Sequence, residues 1–156
     1  MNEAHLHLVL NHFPIIIPIV ALIVLIIGFG TKSAVIKRVA LGLFVLGGIL
    51  TFPAAFTGEG AEEVVEDLAG VSHTLIHEHE ERAETFILAS YILGAISLLG
   101  LWANYKGKKI AGGVTIVVLL LSVVVVILGK GAGTSGGEIR HEEIRQGTAV
   151  PAYDGD

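Results

Sequence analysis

Four stretches without a single charged residue, 13–30, 39–58, 86–105 and 110–129, constrain this chain more than any other feature. At about 1.5 Å of helical rise per residue, each covers roughly 27–30 Å, the hydrocarbon thickness of a bilayer. One such helix can be buried in a soluble protein, but four in 156 residues leave too little chain to cover them. Open strand edges go unsatisfied in lipid, which excludes a sheet. The expectation is therefore all-α: an integral membrane four-helix bundle forming a single domain over 1–156. Its spans fall at about 13–30, 36–57, 84–105 and 110–129.

Charge sets the orientation. The first connection carries Lys32, Lys37 and Arg38, the third carries Lys106, Lys108 and Lys109, and neither holds an acid. All 15 acidic residues lie on the other side, with Arg82, Lys130, Arg140 and Arg145. The positive-inside rule places the lysine loops in the cytoplasm, giving an N-out/C-out protein with an outer loop at 58–83 and an outer tail at 130–156. In a bacterium this is the inner membrane, with both termini in the periplasm. The first span has no basic n-region and no small-x-small site, so it reads as a resident helix and not a cleaved signal. The absence of cysteine removes disulfides and thiolate ligands.

The seven histidines, His5, His7, His12, His73, His77, His79 and His141, all fall on the outer side and come from three separate segments. They read either as solvated interfacial side chains or as ligands converging at the bundle mouth. "HTLIHEHEERAETF" enters the third span without Gly or Pro, which predicts one helix from about Ser72 to Trp102. Steps of three, four and seven from His79 lead to Ala83, Ser90, Gly94 and Ser97, a column of small residues below an imidazole. Gly47, Gly48, Thr51, Ala54, Ala55 and Gly58 form a similar run toward the end of the second span. Such columns serve close helix packing, or leave room for a flat macrocycle. His12 stands at the bilayer boundary in "NHFP", where Pro14 and Pro18 remove backbone donors. Ionisable groups at that depth are functional candidates.

Acids crowd the same side. Glu59, Glu63 and Glu66 share a helical face on an expected extension of the second span, and Glu62–Glu66 and His73–His77 have chelating i, i+4 spacing. Mixed His/Glu ligation suits Zn, Fe, Mn or Cu, although a dense acidic stretch reads equally as a solvated face. The glycine-rich "GKGAGTSGGEIRHEEIRQG" after the fourth span permits the chain to fold back, which brings His141 over the mouth, or else it is a loose tail. The final "AVPAYDGD" reads as frayed.

"LNHFPI", "TGEGAEEVVE", "HEERAE" and "TSGGEIRHEEIR", taken in order, resemble a family of small four-helix membrane proteins of no settled activity, over about residues 5–145. Some of its members are joined to Rieske-type or cytochrome c domains, which implies a membrane redox role. By position the resemblance points to His12, Glu59, His79 and His141. His5, His7, His73 and His77 are additional.

Three functions compete. In the first, a b-type haem lies between helices with His12 and His79 as axial ligands, or with His73, His77 or His141 in their place. Arg82 and Arg140 then meet the propionates, and electrons pass to a quinone or a periplasmic carrier. The second is a non-haem Zn, Cu or Fe site built from His12, His79, His141, Glu59 and Glu63, with His77 and His73 in reserve. The third is a cofactor-free structural subunit, with a homo-oligomer compatible with any of the three. No nucleophile with an adjacent base and no phosphate loop is present, so electron transfer or metal binding is expected over stand-alone catalysis. The acidic outer face repels nucleic acid.

Overall fold

The computed structural model describes residues 2–145. Helix α1 spans Glu3–Leu10, α2 His12–Gly30, α3 Ala34–Val65, α4 His73–Tyr105 and α5 Ala111–Glu138, followed by a 3-10 turn at Glu142–Ile144. No strand occurs among the described residues. Asn11 keeps α-helical dihedrals between α1 and α2, so the two run on with continuous phase, and four helical stretches are long and apolar enough to cross a membrane. Asn2 caps α1 by accepting from the His5 amide, and Ser33 caps α3 by accepting from that of Ile36.

The helices form a ring: α2 lies beside α3, α3 beside α4, α4 beside α5, and α5 closes on α2, while α1 packs along α3. Spacing in the sequence dictates this. Buried positions alternate by four and three, as in Pro14, Pro18, Ala21, Leu25 and Gly28 of α2, or Thr115, Val118, Ser122, Val125, Gly129 and Ala132 of α5. A 3–4 repeat keeps one narrow seam facing the neighbours along the full length of nearly aligned helices. The outer face is apolar too: Leu25 is fully buried, yet Ile26 beside it is 55% exposed. Large aliphatics outside and small residues inside are what a lipid solvent favours, because burial from lipid gains no hydrophobic energy and close packing takes over. At Gly48 a Cβ would stand 3.2 Å from the Gly94 Cα, so α3 and α4 touch backbone to backbone. Most buried hydroxyls bond within their own helices, Thr51 to the Gly47 carbonyl at 2.9 Å and Ser90 to that of Phe86 at 2.8 Å, while that of Ser97 has no partner.

The outer segment 58–83 is mostly helix, in line with the expected extension of the second span and the helix expected from about Ser72: α3 runs on to Val65 and α4 begins at His73, leaving a short connection around Gly70. At 32 and 33 residues these helices measure about 48–50 Å, longer than a bilayer core, so both project at the polar end. The glycine-rich tail does not turn back where expected. Helix α5 continues through Gly131, Gly133, Gly136 and Gly137 to Glu138, because several of these glycines are contact surfaces for neighbouring side chains. Arg145 then folds over the helix end, donating to the carbonyls of Glu138 at 2.7 Å and Ile139 at 3.1 Å. At the opposite end, Lys37 lies over Phe29, Arg38 over Tyr105 and Lys108 over Trp102, a basic and aromatic rim.

Candidate metal centre

Helical phase decides which histidines face inward. His7, Pro14, Ala21 and Gly28 are seven apart, and the last three are buried. His5, His12, Ile19 and Ile26 form the adjacent register, exposed throughout. On α4, His79, Phe86, Leu93 and Gly100 point inward, whereas His77, Glu84, Tyr91 and Leu98 point out. Two imidazoles, His7 and His79, therefore turn into the polar end of the bundle.

Each is held through Nδ1 by a partner on the following helix. The Nδ1 of His7 lies 3.1 Å from the Ala54 carbonyl and 3.2 Å from Thr57 Oγ1. A carbonyl only accepts, so this Nδ1 carries the proton, and the Thr57 hydroxyl, donating to Pro53 or Ala54, is free to accept as well. The Nδ1 of His79 lies 3.1 Å from Ser135 Oγ, whose own proton goes to the Ala132 carbonyl. Nδ1–H again donates. Both rings are left with an Nε2 lone pair, and among the described residues neither Nε2 has a hydrogen-bond partner. A glycine backs each ring: Gly58 against His7, and Gly136 against His79, where a Cβ would come within 3.0 Å of Cε1.

The pattern is repeated in the sequence. His-x-His occurs at 5–7 and 77–79, and Ala-x-x-Thr/Ser-Gly at 54–58 and 132–136. The first hairpin (α1–α2 with α3) and the second (α4 with α5) thus each carry a histidine on the leading helix and its anchor on the following one. In the ring α2 and α4 are diagonal to each other. Burial lowers the pKa of both imidazoles, more than their bonds to backbone raise it, and the charge on His7 further disfavours protonation of His79. Asn11, one turn below His7 and in register with Pro18 and Leu25, has its amide oxygen buried without a partner.

The other sequence candidates lie elsewhere. His12 is exposed, its Nδ1 2.8 Å from the Leu8 carbonyl one turn earlier. His73 opens α4 and is exposed. His77 stands in solvent, 3.6 Å from both Glu80 and Glu81. His141 pairs with Glu143 at 2.9 Å, also in solvent. Glu59 and Glu63 are exposed on α3. Arg82 lies in a groove outside the bundle between α4 and α5, of about 340 Å³, and approaches Glu78 at 4.0 Å. Arg140 is exposed at the end of α5. Among the described residues no three His, Cys, Asp or Glu side chains converge. Glu62 instead shares a hydrogen bond with Glu80 across α3 and α4, which, with partial burial, raises its pKa. Directly below His79 the Phe86 ring fills the next layer against Gly129, at 3.0 Å from a Cβ there. Of the two readings of the small-residue columns, close packing is the one built here.

Compared with known protein families, curated proteins and solved structures, the chain matches none. Its chemistry has to be read from the residues themselves. Sequence reasoning selected His79 but set His7 aside; a count by sevens from Gly28 and the paired His-x-His motifs are the signals that identify it.

Proposed function

We propose that this chain is an integral membrane metal-binding protein, with an ion of the Cu, Zn or Fe class held between His7 and His79 at the polar end of the bundle. The observation that carries the reading is the shared anchoring. The Nδ1 of His7 is fixed by a backbone carbonyl and a hydroxyl and that of His79 by a hydroxyl, which leaves two half-buried Nε2 donors at one end of the molecule. A ligand imidazole that donates its other N–H to a carbonyl is oriented and made more basic. The lysine-rich end supports placing the metal end outside the cytoplasm, in the periplasm of a bacterial inner membrane. Such a site suits metal handling, or relay of one electron to a periplasmic carrier or a membrane quinone.

A b-type haem on His12 and His79 draws less support. His12 faces out, the Phe86 ring lies against Gly129 in the layer below His79, and Arg82 and Arg140 are exposed.

The full chain, purified in detergent, stripped and reloaded with Zn(II) or copper, should retain one ion by elemental analysis. His7→Ala and His79→Ala should each lose it, while His12→Ala, His77→Ala and His141→Ala keep it. A Soret band that survives purification and disappears in His12→Ala would restore the haem reading.

A further inference from the structure

We propose that the basic rim, at the end of the bundle opposite His7 and His79, binds the phosphodiester headgroup of anionic phospholipids, with Arg38 at its centre where α3 meets α4. The inference is independent of the metal and uses none of its residues.

Depth is the first reason. Six of the ten lysines and arginines, Lys32, Lys37, Arg38, Lys106, Lys108 and Lys109, lie within a few residues of the end of an apolar span, and neither connection holds an acid. Both connections are short: α2 ends at Gly30 and α3 starts at Ala34, α4 ends at Tyr105 and α5 starts at Ala111. Neither is long enough to project as α3 and α4 do at the other end, so the bases sit level with the bilayer surface. Phe29, Trp102 and Tyr105 stand among them, aromatic residues at the depth where a membrane interface collects them. A soluble anion reaches this layer only by entering the headgroups, which offer the same phosphate at far higher local concentration.

Unanswered charge is the second. Among the described residues no carboxylate pairs with any of the six bases, and each ion pair formed lies at the opposite end. Lys37, Arg38 and Lys108 lie over aromatic rings instead, 4.5, 5.0 and 5.7 Å from the centroids. A ring face attracts a cation but supplies no counter-charge. Arg38 is the most demanding of the three. It is half-buried, and its Nε is enclosed without a hydrogen-bond partner. A buried donor left unpaired is costly, and this one belongs to a guanidinium with no counter-ion inside the protein. Phosphate oxygens match the donor fork of arginine, and basic pockets between membrane helices take phospholipid headgroups on that account.

The test is native mass spectrometry of the full chain released from nanodiscs of mixed phosphatidylglycerol and phosphatidylcholine, with thermal unfolding in detergent as each lipid is added. Phosphatidylglycerol should be retained and should raise the unfolding temperature, phosphatidylcholine doing neither. Arg38→Ala should weaken phosphatidylglycerol binding about 10-fold. Arg38→Lys, which keeps the charge and loses the fork, should recover part of that, and Lys130→Ala at the far end should change nothing. Equal retention of the two lipids, or an equal loss in Lys130→Ala, would overturn the site. Protection by inorganic phosphate at the concentration where phosphatidylglycerol protects would overturn it too, in favour of a soluble anion. The two lipids compared on the wild-type chain decide the matter even if Arg38→Ala does not fold. Metal content, which none of these outcomes alters, keeps this result separate from the metal-site reading.

Discussion

A histidine ring presents one proton and one lone pair, and the group that takes the proton decides where the lone pair points. At His7 that group is a helix carbonyl assisted by a hydroxyl and at His79 a serine hydroxyl; at His12 the Nδ1 contact is with its own preceding turn. This distinction was only partly legible in the sequence. "NHFP" drew attention to His12 because proline and the membrane edge are conspicuous, but a side chain's direction follows helical phase, and that phase places His12 with Ile19 and Ile26 toward the outside. Identifying His7 required carrying the register through Asn11 as though α1 and α2 were one helix. The partners Thr57 and Ser135 lie 50 and 56 residues away from their histidines, so no local pattern joins them. The same residues fix a pH dependence. Burial holds both imidazoles below the ordinary value of 6.5, so near that pH the unfolded chain binds protons that the folded chain does not. Stability should therefore be full above pH 6.5 and decline as pH falls through it, levelling off once the folded-state histidines also protonate. Denaturation of the metal-free chain measured across that range should show this slope in wild type and a shallower one in His7→Ala or His79→Ala. His12→Ala should leave it unchanged.

Among the elements, α5 departs most from its composition. Glycine in a helix interior costs about 1 kcal/mol relative to alanine, so a run with Gly131, Gly133, Gly136 and Gly137 reads as a stop. Tertiary contact overrides the propensity, since His79 lies against Gly136 and Phe86 against Gly129. Gly131 has nothing within 4 Å of its Cβ position. The two sites therefore predict opposite behaviour for the same change. Gly131→Ala should raise stability by about 1 kcal/mol and leave metal affinity alone. Gly136→Ala gains the same helix propensity but pushes on the imidazole, and should weaken metal binding ~10–100-fold with little loss of fold. Chelator competition alongside thermal denaturation separates the two effects. The spans themselves were legible, because absence of charge over a bilayer's width needs no partner to interpret. So were the polar extensions of α3 and α4, from the acidic run after the second span and the Gly- and Pro-free entry to the third; the end of α5 was not.

For the molecule as a whole, orientation is the property that charge alone argues. The absence of cysteine makes the question easy to put to the protein. With a membrane-impermeant maleimide on intact cells, a single cysteine at Asp67, in the connection beyond α3, should label, and one at Lys32 should label only after the membrane is opened. Equal labelling of both, or the reverse order, would invert the assignment. Repetition of the half-site also bears on how the protein is made. Each hairpin carries its own imidazole, carbonyl and hydroxyl, so a pair of helices leaving the translocation machinery has half a coordination sphere already oriented before the other pair exists. On the metal-site proposal, capture of the ion would coincide with docking of the two halves, and the metal would act as the clasp that records completed assembly.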